Sequence, residues 1–232
     1  MSFLQTFWDT LLLPDVQFSL GLTLRVLAIT LVLHLFAGLG LGYLLSRRSW
    51  PGQGLLDVVV TLPLVFPPIA TGFALLLLLG RHGWVGQWLE SMGQNVVFAL
   101  PGVVIASFLA GLPLVVKPVE VAMRELSTRH GEVARTLGKG EIEIFLLVLL
   151  PNLRIPLATG LILGLGRALG EVGVTLMLGG NIVGKTNTLS LEIYNAVFSG
   201  DFSRASVLSS LLGVVSLLVF MVLRKLSFSR SL

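Results

Sequence analysis

The sequence predicts an all-α integral membrane protein with five transmembrane helices, and three observations carry that prediction. Five apolar runs each approach or exceed the roughly 20 helical residues needed to cross a bilayer core of about 30 Å. Charged residues make up 12% of the 232, half of the about 25% found in ordinary soluble domains. Hydrophobic residues make up 54%, and mean hydropathy is +0.92. Helix is the only sensible assignment, because lipid demands internally bonded backbone and the runs are too long for barrel strands. Cysteine is absent, which excludes disulfides and thiolate metal sites. An isoelectric point near 10 invites a nucleic-acid partner, but the basic residues sort by membrane side instead.

Residues 1–18 are expected to form an interfacial N-terminal segment. Phe3, Phe7, Trp8 and Leu11 recur at helical spacing up to Pro14, which suits a helix lying at headgroup depth. Residues 1–13 hold no Lys or Arg and no small-residue cleavage site follows, so a secretory signal is not expected. The membrane domain is placed at 19–226, with a short tail at 227–232.

Span 1, Leu20–Leu45, carries Gly38, Gly40 and Gly42; small residues four apart let helices approach closely. Span 2, Leu55–Leu79, contains Pro63, Pro67 and Pro68. Proline removes a backbone donor and clashes with the preceding turn, so this helix must kink or break. Irregular backbone is not tolerated against lipid, so the break faces either a water-filled pathway or the rest of the bundle. Span 3 is Val96–Val116. Span 4, Ile155–Leu178, carries Gly160, Gly164, Gly166, Gly170 and Gly173, which serve packing inside one subunit or contact between two. Span 5 is Ala205–Leu223.

Orientation follows from Lys and Arg. Eleven lie after span 1, between spans 3 and 4, and in the tail, against Arg81, Lys185 and Arg204 on the other side. The positive-inside rule puts the N-terminus outside and the C-terminus in the cytoplasm. The charged loop 118–152 is therefore cytoplasmic. Within it Ser127 or Thr128 is placed to cap a short helix and Gly138 to end it. Val133, Ala134 and Leu137 form a small apolar stripe beside Glu132 and Arg135. Such a helix suits another protein's groove, or packs on the bundle's own end.

Arg167 and Glu171 sit about halfway along span 4. Charges at that depth are costly and face a partner or a watery cavity. Four residues apart they share a helix face, as a structural pair or as part of an anion's route. Thr175 follows one turn later. Gly179 to Thr186 fits the phosphate-loop pattern G-x-x-x-x-G-K-[ST], but it follows a membrane span on the outer side rather than a core strand. Nucleotide binding there is not expected. His34 lies in an apolar span, and His82 and His130 are isolated from carboxylate clusters, so no metal site or catalytic constellation is expected.

Glu132-Val133-Ala134-Arg135-Thr136-Leu137-Gly138, then nine residues and Val148-Leu149-Leu150-Pro151, resembles the EAA loop of ABC importer permeases, with Val133 where alanine is usual. Leu62 to Pro68, Leu79 to Trp84, and Arg167 to Thr175 resemble molybdate permeases of that family; Val172 and Val174 replace an expected Phe and Ala. The resemblance implies a type I ABC importer permease fold with a cytoplasmic coupling-helix loop. It implies a homodimer in the bacterial inner membrane that contacts lipid but no nucleic acid. Two cytoplasmic ATP-binding subunits and a periplasmic or tethered oxyanion-binding protein are implied as partners. ATP and Mg belong to the partner ATPase, leaving this chain without cofactor or catalytic residue. The implied coupling residues are Glu132, Val133, Ala134, Arg135, Leu137 and Gly138; the pathway candidates are Pro63, Pro67, Pro68, Arg167, Glu171 and Thr175. Tungstate or sulfate permeases are the near alternatives, and a scaffold or secondary transporter the distant one.

Overall fold

The structure, a computed structural model, describes residues 3–47, 50–128 and 132–228. Its described residues form thirteen α-helices and one π-helical turn, with no strand among them. Three helices are each long and apolar enough to cross a membrane unbroken: α2 (Pro14–Ser46), α6 (Leu100–Leu126) and α13 (Phe202–Phe228). Two bent pairs, Pro68–Leu79 with Trp84–Ser91 and Glu141–Asn152 with Arg154–Leu169, bring the total to as many as five if each pair counts as one span.

The short helix α1 (Phe3–Leu11) leads into α2, and Pro14 opens α2 rather than merely closing α1. Proline suits a first helical turn because the amide it lacks has no partner there anyway. Helix 2 therefore begins before the apolar run, through the polar turn at Asp15, Gln17 and Ser19.

Span 2 is not one helix. It is α3 (Gln53–Val65) and α4 (Pro68–Leu79), separated by extended backbone at Phe66 and Pro67. At 1.5 Å per residue, their 13 and 12 residues are about 20 and 18 Å long. Pro63 is accommodated inside α3; the break falls at Pro67–Pro68, where two adjacent amide donors are missing. A short helix, α5 (Trp84–Ser91), follows at 51° to α4.

Helix α6 continues ten residues beyond the expected end of span 3, through Pro118 to Leu126. The first part of the 118–152 segment is thus helix, not loop. The remainder holds α7 (Glu132–Thr136), α8 (Glu141–Ile144), the π-helical turn Phe145–Leu149 and α9 (Leu150–Asn152). Span 4 is also in two pieces, α10 (Arg154–Leu169) and α11 (Gly173–Gly179). An unexpected helix, α12 (Leu189–Phe198), fills the loop before α13, capped by Thr188 accepting from the Leu191 amide.

The centre of the bundle is the crossing of α2, α6 and α10. A Cβ on Gly38 would fall 2.7 Å from a Val115 methyl, one on Gly42 2.8 Å from Val119, and one on Gly164 2.5 Å from Val115. These glycines let backbones meet within one subunit, whereas Gly40 and Gly166 face open space. His34 is buried in the same crossing. Its Nε2–H donates to the Phe108 carbonyl at 2.8 Å and its ring stacks on Phe108.

Overpacking this crossing should cost about 1–3 kcal/mol. Gly164→Val is therefore expected to lower the thermal unfolding midpoint in detergent, while Gly166→Ala, with open space at its Cβ, should hold or raise it, by up to about 1 kcal/mol.

Candidate functional site

Two regions carry the chemistry: the charged segment beyond α6, and the paired breaks in spans 2 and 4. In the first, α7 ends in a Schellman turn. The Lys139 amide donates to the Ala134 carbonyl at 3.1 Å and the Gly138 amide to Arg135 at 3.0 Å, with Gly138 at φ +77°. That left-handed position is the one glycine occupies without penalty.

The expected apolar stripe divides between two faces. Ala134 is buried in a cluster with Val119, Met123, Ile144, Leu149 and Leu153. Val133 and Leu137 point away from it, 58% and 75% exposed. Helix 7 is therefore anchored by one small side chain and offers its larger apolar groups to solvent or to a partner. Glu132 opens the helix; its side chain lies outside the described residues, as does the chain at 129–131 where an N-cap would fall. Thr128 instead donates to the Arg124 carbonyl at the end of α6.

Arg135 holds the segment from the side. It donates to Glu141 through Nε at 2.7 Å and Nη2 at 3.3 Å. Arg47, at the end of α2, lies 3.7 Å from the same carboxylate. The Arg135 hydrogen bonds, and the charges of Arg135 and Arg47, hold the Glu141 carboxyl below its ordinary pKa.

Farther into the bundle, the two breaks face each other. A Cβ on Gly72 would lie 2.9 Å from the Met177 Cβ, and one on Gly173 2.9 Å from the Pro68 Cβ. The start of α4 thus packs directly on the start of α11. Pro67 and Pro68 remain exposed, as do Leu64, Val65, Phe66 and Ile69 around them. Pro63 is partly buried.

Glu171 is buried and does two things. One oxygen pairs with Arg167 at 2.8 Å, and the other accepts the Val174 amide at 2.7 Å. The carboxylate thereby satisfies an amide that the interruption of span 4 leaves without a helical partner. The Arg167 side chain is 37% exposed, so the pair joins an open surface to a sealed interior. Thr175 is 1% exposed and belongs to that sealed interior.

The phosphate-loop match has the wrong local geometry. Thr186 is fully buried and donates to the Gly179 carbonyl at 2.6 Å while accepting the Ile182 amide. No helix opens at Lys185–Thr186; α12 begins three residues later. Asn187 ties this loop to Ser19 of α2, accepting at 2.8 Å.

Another charged cluster was not anticipated. Arg204 of α13 pairs with Asp15 of α2 at 2.6 Å and also with Glu192 of α12. Its three members are far apart in sequence, and no spacing rule links them.

The family described as binding-protein-dependent transport system inner membrane component matches residues 34–229. The chain belongs to that family. It is 38% identical over 213 residues to the molybdenum transport system permease protein ModB of Azotobacter vinelandii, covering 91% of this chain and 93% of that one. It is 36% identical over 213 residues to the sulfate transport system permease protein CysW of Synechocystis, covering 90% of this chain and 77% of that one. Among solved structures, a bacterial ABC transporter involved in alginate import superposes with a TM-score of 0.78. That likeness spans 98% of this chain and 84% of the other at 15% identity, and it concerns the fold. This is a multi-pass inner-membrane permease of the ABC importer type.

Glu171→Ala should cost about 1–3 kcal/mol, the penalty for an unsatisfied buried amide. Glu171→Gln, which retains an acceptor, should cost less by the same unfolding assay. For Glu141 the folded-state pKa lies below the unfolded one, so its contribution is complete above the ordinary carboxylate range and disappears as pH falls through the lowered value. Amide exchange over 132–144, corrected for intrinsic rate, should lose protection only as pH falls below the ordinary carboxylate range. In Arg135→Gln protection should already be lower at neutral pH and depend less on pH across that range.

Proposed function

We propose that this chain is the membrane-spanning subunit of an ATP-driven importer of tetrahedral oxyanions, with molybdate as cargo. Two copies would form the pathway, two cytoplasmic ATPase subunits would drive it, and an external binding protein would deliver the anion. A related fold appears in an alginate ABC transporter solved with its periplasmic protein, in keeping with that arrangement. The N-terminus would lie outside and the C-terminus in the cytoplasm, as the distribution of Lys and Arg favours.

The observation that carries the reading is the division of α7 into two faces. Ala134 fixes the helix to α6, while Val133 and Leu137 stand exposed. An outward apolar pair on a short helix is what a groove on an ATPase subunit would receive. Because Ala134 packs against Val119 and Met123 of α6, a push on α7 acts on a helix that runs through the whole bundle.

The paired breaks are the best candidates for the pathway. Exposed apolar side chains and interrupted backbone at Pro67–Pro68 need cover, which a second copy would supply. Arg167, partly exposed beside the break in span 4, would lend positive potential to that route. ATP and the loaded binding protein must each favour a different state of the permease, since equal affinity for both states shifts nothing.

Molybdate is favoured by the motifs around both breaks and by the near full-length match to ModB. Sulfate is the second reading, supported by the similar identity to CysW.

The deciding experiment is uptake into ATP-loaded proteoliposomes containing this chain, its ATPase and its binding protein. Molybdate uptake blocked by tungstate but not by excess sulfate is the expected result. Sulfate uptake with weak molybdate competition would move the cargo, and no oxyanion uptake by an assembled complex would overturn the assignment. In the same system Gly138→Val forces a branched residue into left-handed backbone, at about 1–2 kcal/mol. It should depress uptake more than ATP hydrolysis. Lys185→Ala should leave ATP turnover unchanged.

A further inference from the structure

We propose that the cleft between the ends of α2 and α6 and the α7–α8 turn binds a tetrahedral oxyanion group. The cleft has a volume of about 760 Å³, and its walls include Arg47, Arg124, Arg135, Gln53, Ser127 and Thr128. Three guanidinium groups from three separate elements therefore border one space.

They differ in how far they are engaged. Arg124 donates through Nη2 to Glu120 at 2.8 Å and to the Leu45 carbonyl at 3.1 Å. Arg135 is committed to Glu141. Arg47 lies over the Tyr43 ring at 4.9 Å and 3.7 Å from Glu141, inside ion-pair range but beyond a hydrogen bond. Among the described residues its guanidinium, with five donors, makes no hydrogen bond.

Planar guanidinium forks match the oxygens of a tetrahedral oxyanion better than point charges do. The Tyr43 face holds Arg47 in place, limiting the entropy lost on binding. Two sources offer that group. One is a free oxyanion of the cargo class, which rests on the function proposed above. The other is the phosphate of an anionic lipid, whose headgroup depth suits Trp50 and Tyr43 near the same end of α2. Either would tie α2, α6 and α7 together and bias whichever permease state keeps them close.

The test uses the assembled permease–ATPase complex without binding protein. Equilibrium binding of labelled sulfate and molybdate is measured in uncharged detergent. Retention of phosphatidylglycerol is measured by native mass spectrometry from nanodiscs of mixed phosphatidylcholine and phosphatidylglycerol. Arg47→Gln, at a half-exposed position, should weaken the relevant binding about tenfold, and Arg47→Lys should recover part of it, since charge returns without the fork. Saturable binding of free oxyanion that responds in this way assigns the free source. Phosphatidylglycerol retention that responds, without free-anion binding, assigns the lipid. Binding of neither probe, or binding unchanged by Arg47→Gln, overturns the proposal. Uptake by the same wild-type complex with its binding protein separates the two readings. Import without Arg47-dependent binding sinks only the cleft, and Arg47-dependent binding without import sinks only the transport assignment.

Discussion

The close crossing of α2, α6 and α10 is the constraint on which the other features depend. In hydrocarbon there is little hydrophobic gain from bringing helices together, so association rests on packing and on the few polar contacts available. Here Gly38, Gly42 and Gly164 admit Val115 and Val119 of α6 at distances no side chain would permit. His34 adds a directed hydrogen bond across the same crossing. Once these three helices are locked, α6 carries their geometry at its C-terminal end to Met123 and the cluster that seats Ala134. At its N-terminal end it carries it to Val103 and Ala106, near the second half of span 4.

Against that rigid frame, the broken spans occupy the side where the frame is open. Helix 13 lies on another flank, only 17% buried over its apolar stretch. The Arg204 cluster then joins α13 to α2 and α12 at one end. Within span 4, Arg167 pairs with the buried Glu171. Their coupling to a backbone amide explains why so costly a carboxylate is retained there.

Much of this was legible in the sequence, for reasons particular to each element. The apolar runs read correctly because hydrocarbon thickness sets their length. Gly138 read correctly because a left-handed turn after a short polar helix leaves few other choices. The prolines of span 2 announced a break, but three prolines did not say which would become the joint. Pro63 could be absorbed inside α3, whereas adjacent Pro67 and Pro68 could not be absorbed together. Span 4 gave less warning, since its interruption depends on a carboxylate capping an amide three residues on and on Pro68 from another helix. The stripe on α7 was read as one face because spacing alone does not reveal that Met123 and Ile144 claim Ala134. The extension of α6 to Leu126 lies beyond the apolar run Val96–Val116, in charged sequence that hydrophobic length does not read.

The facing breaks have a mechanical consequence. Bending a continuous helix sharply sacrifices ladder hydrogen bonds, which in lipid have no water to replace them. At these joints that sacrifice has already been made. Two amides at Pro67 and Pro68 do not exist, and the Val174 amide is held by a side chain, Glu171, rather than by the preceding turn. The segments α4 and α11, joined through Gly72 and Gly173, therefore meet α3 and α10 at joints where the ladder is already interrupted. A change of angle at either joint would leave the helical hydrogen bonds on both sides of it intact.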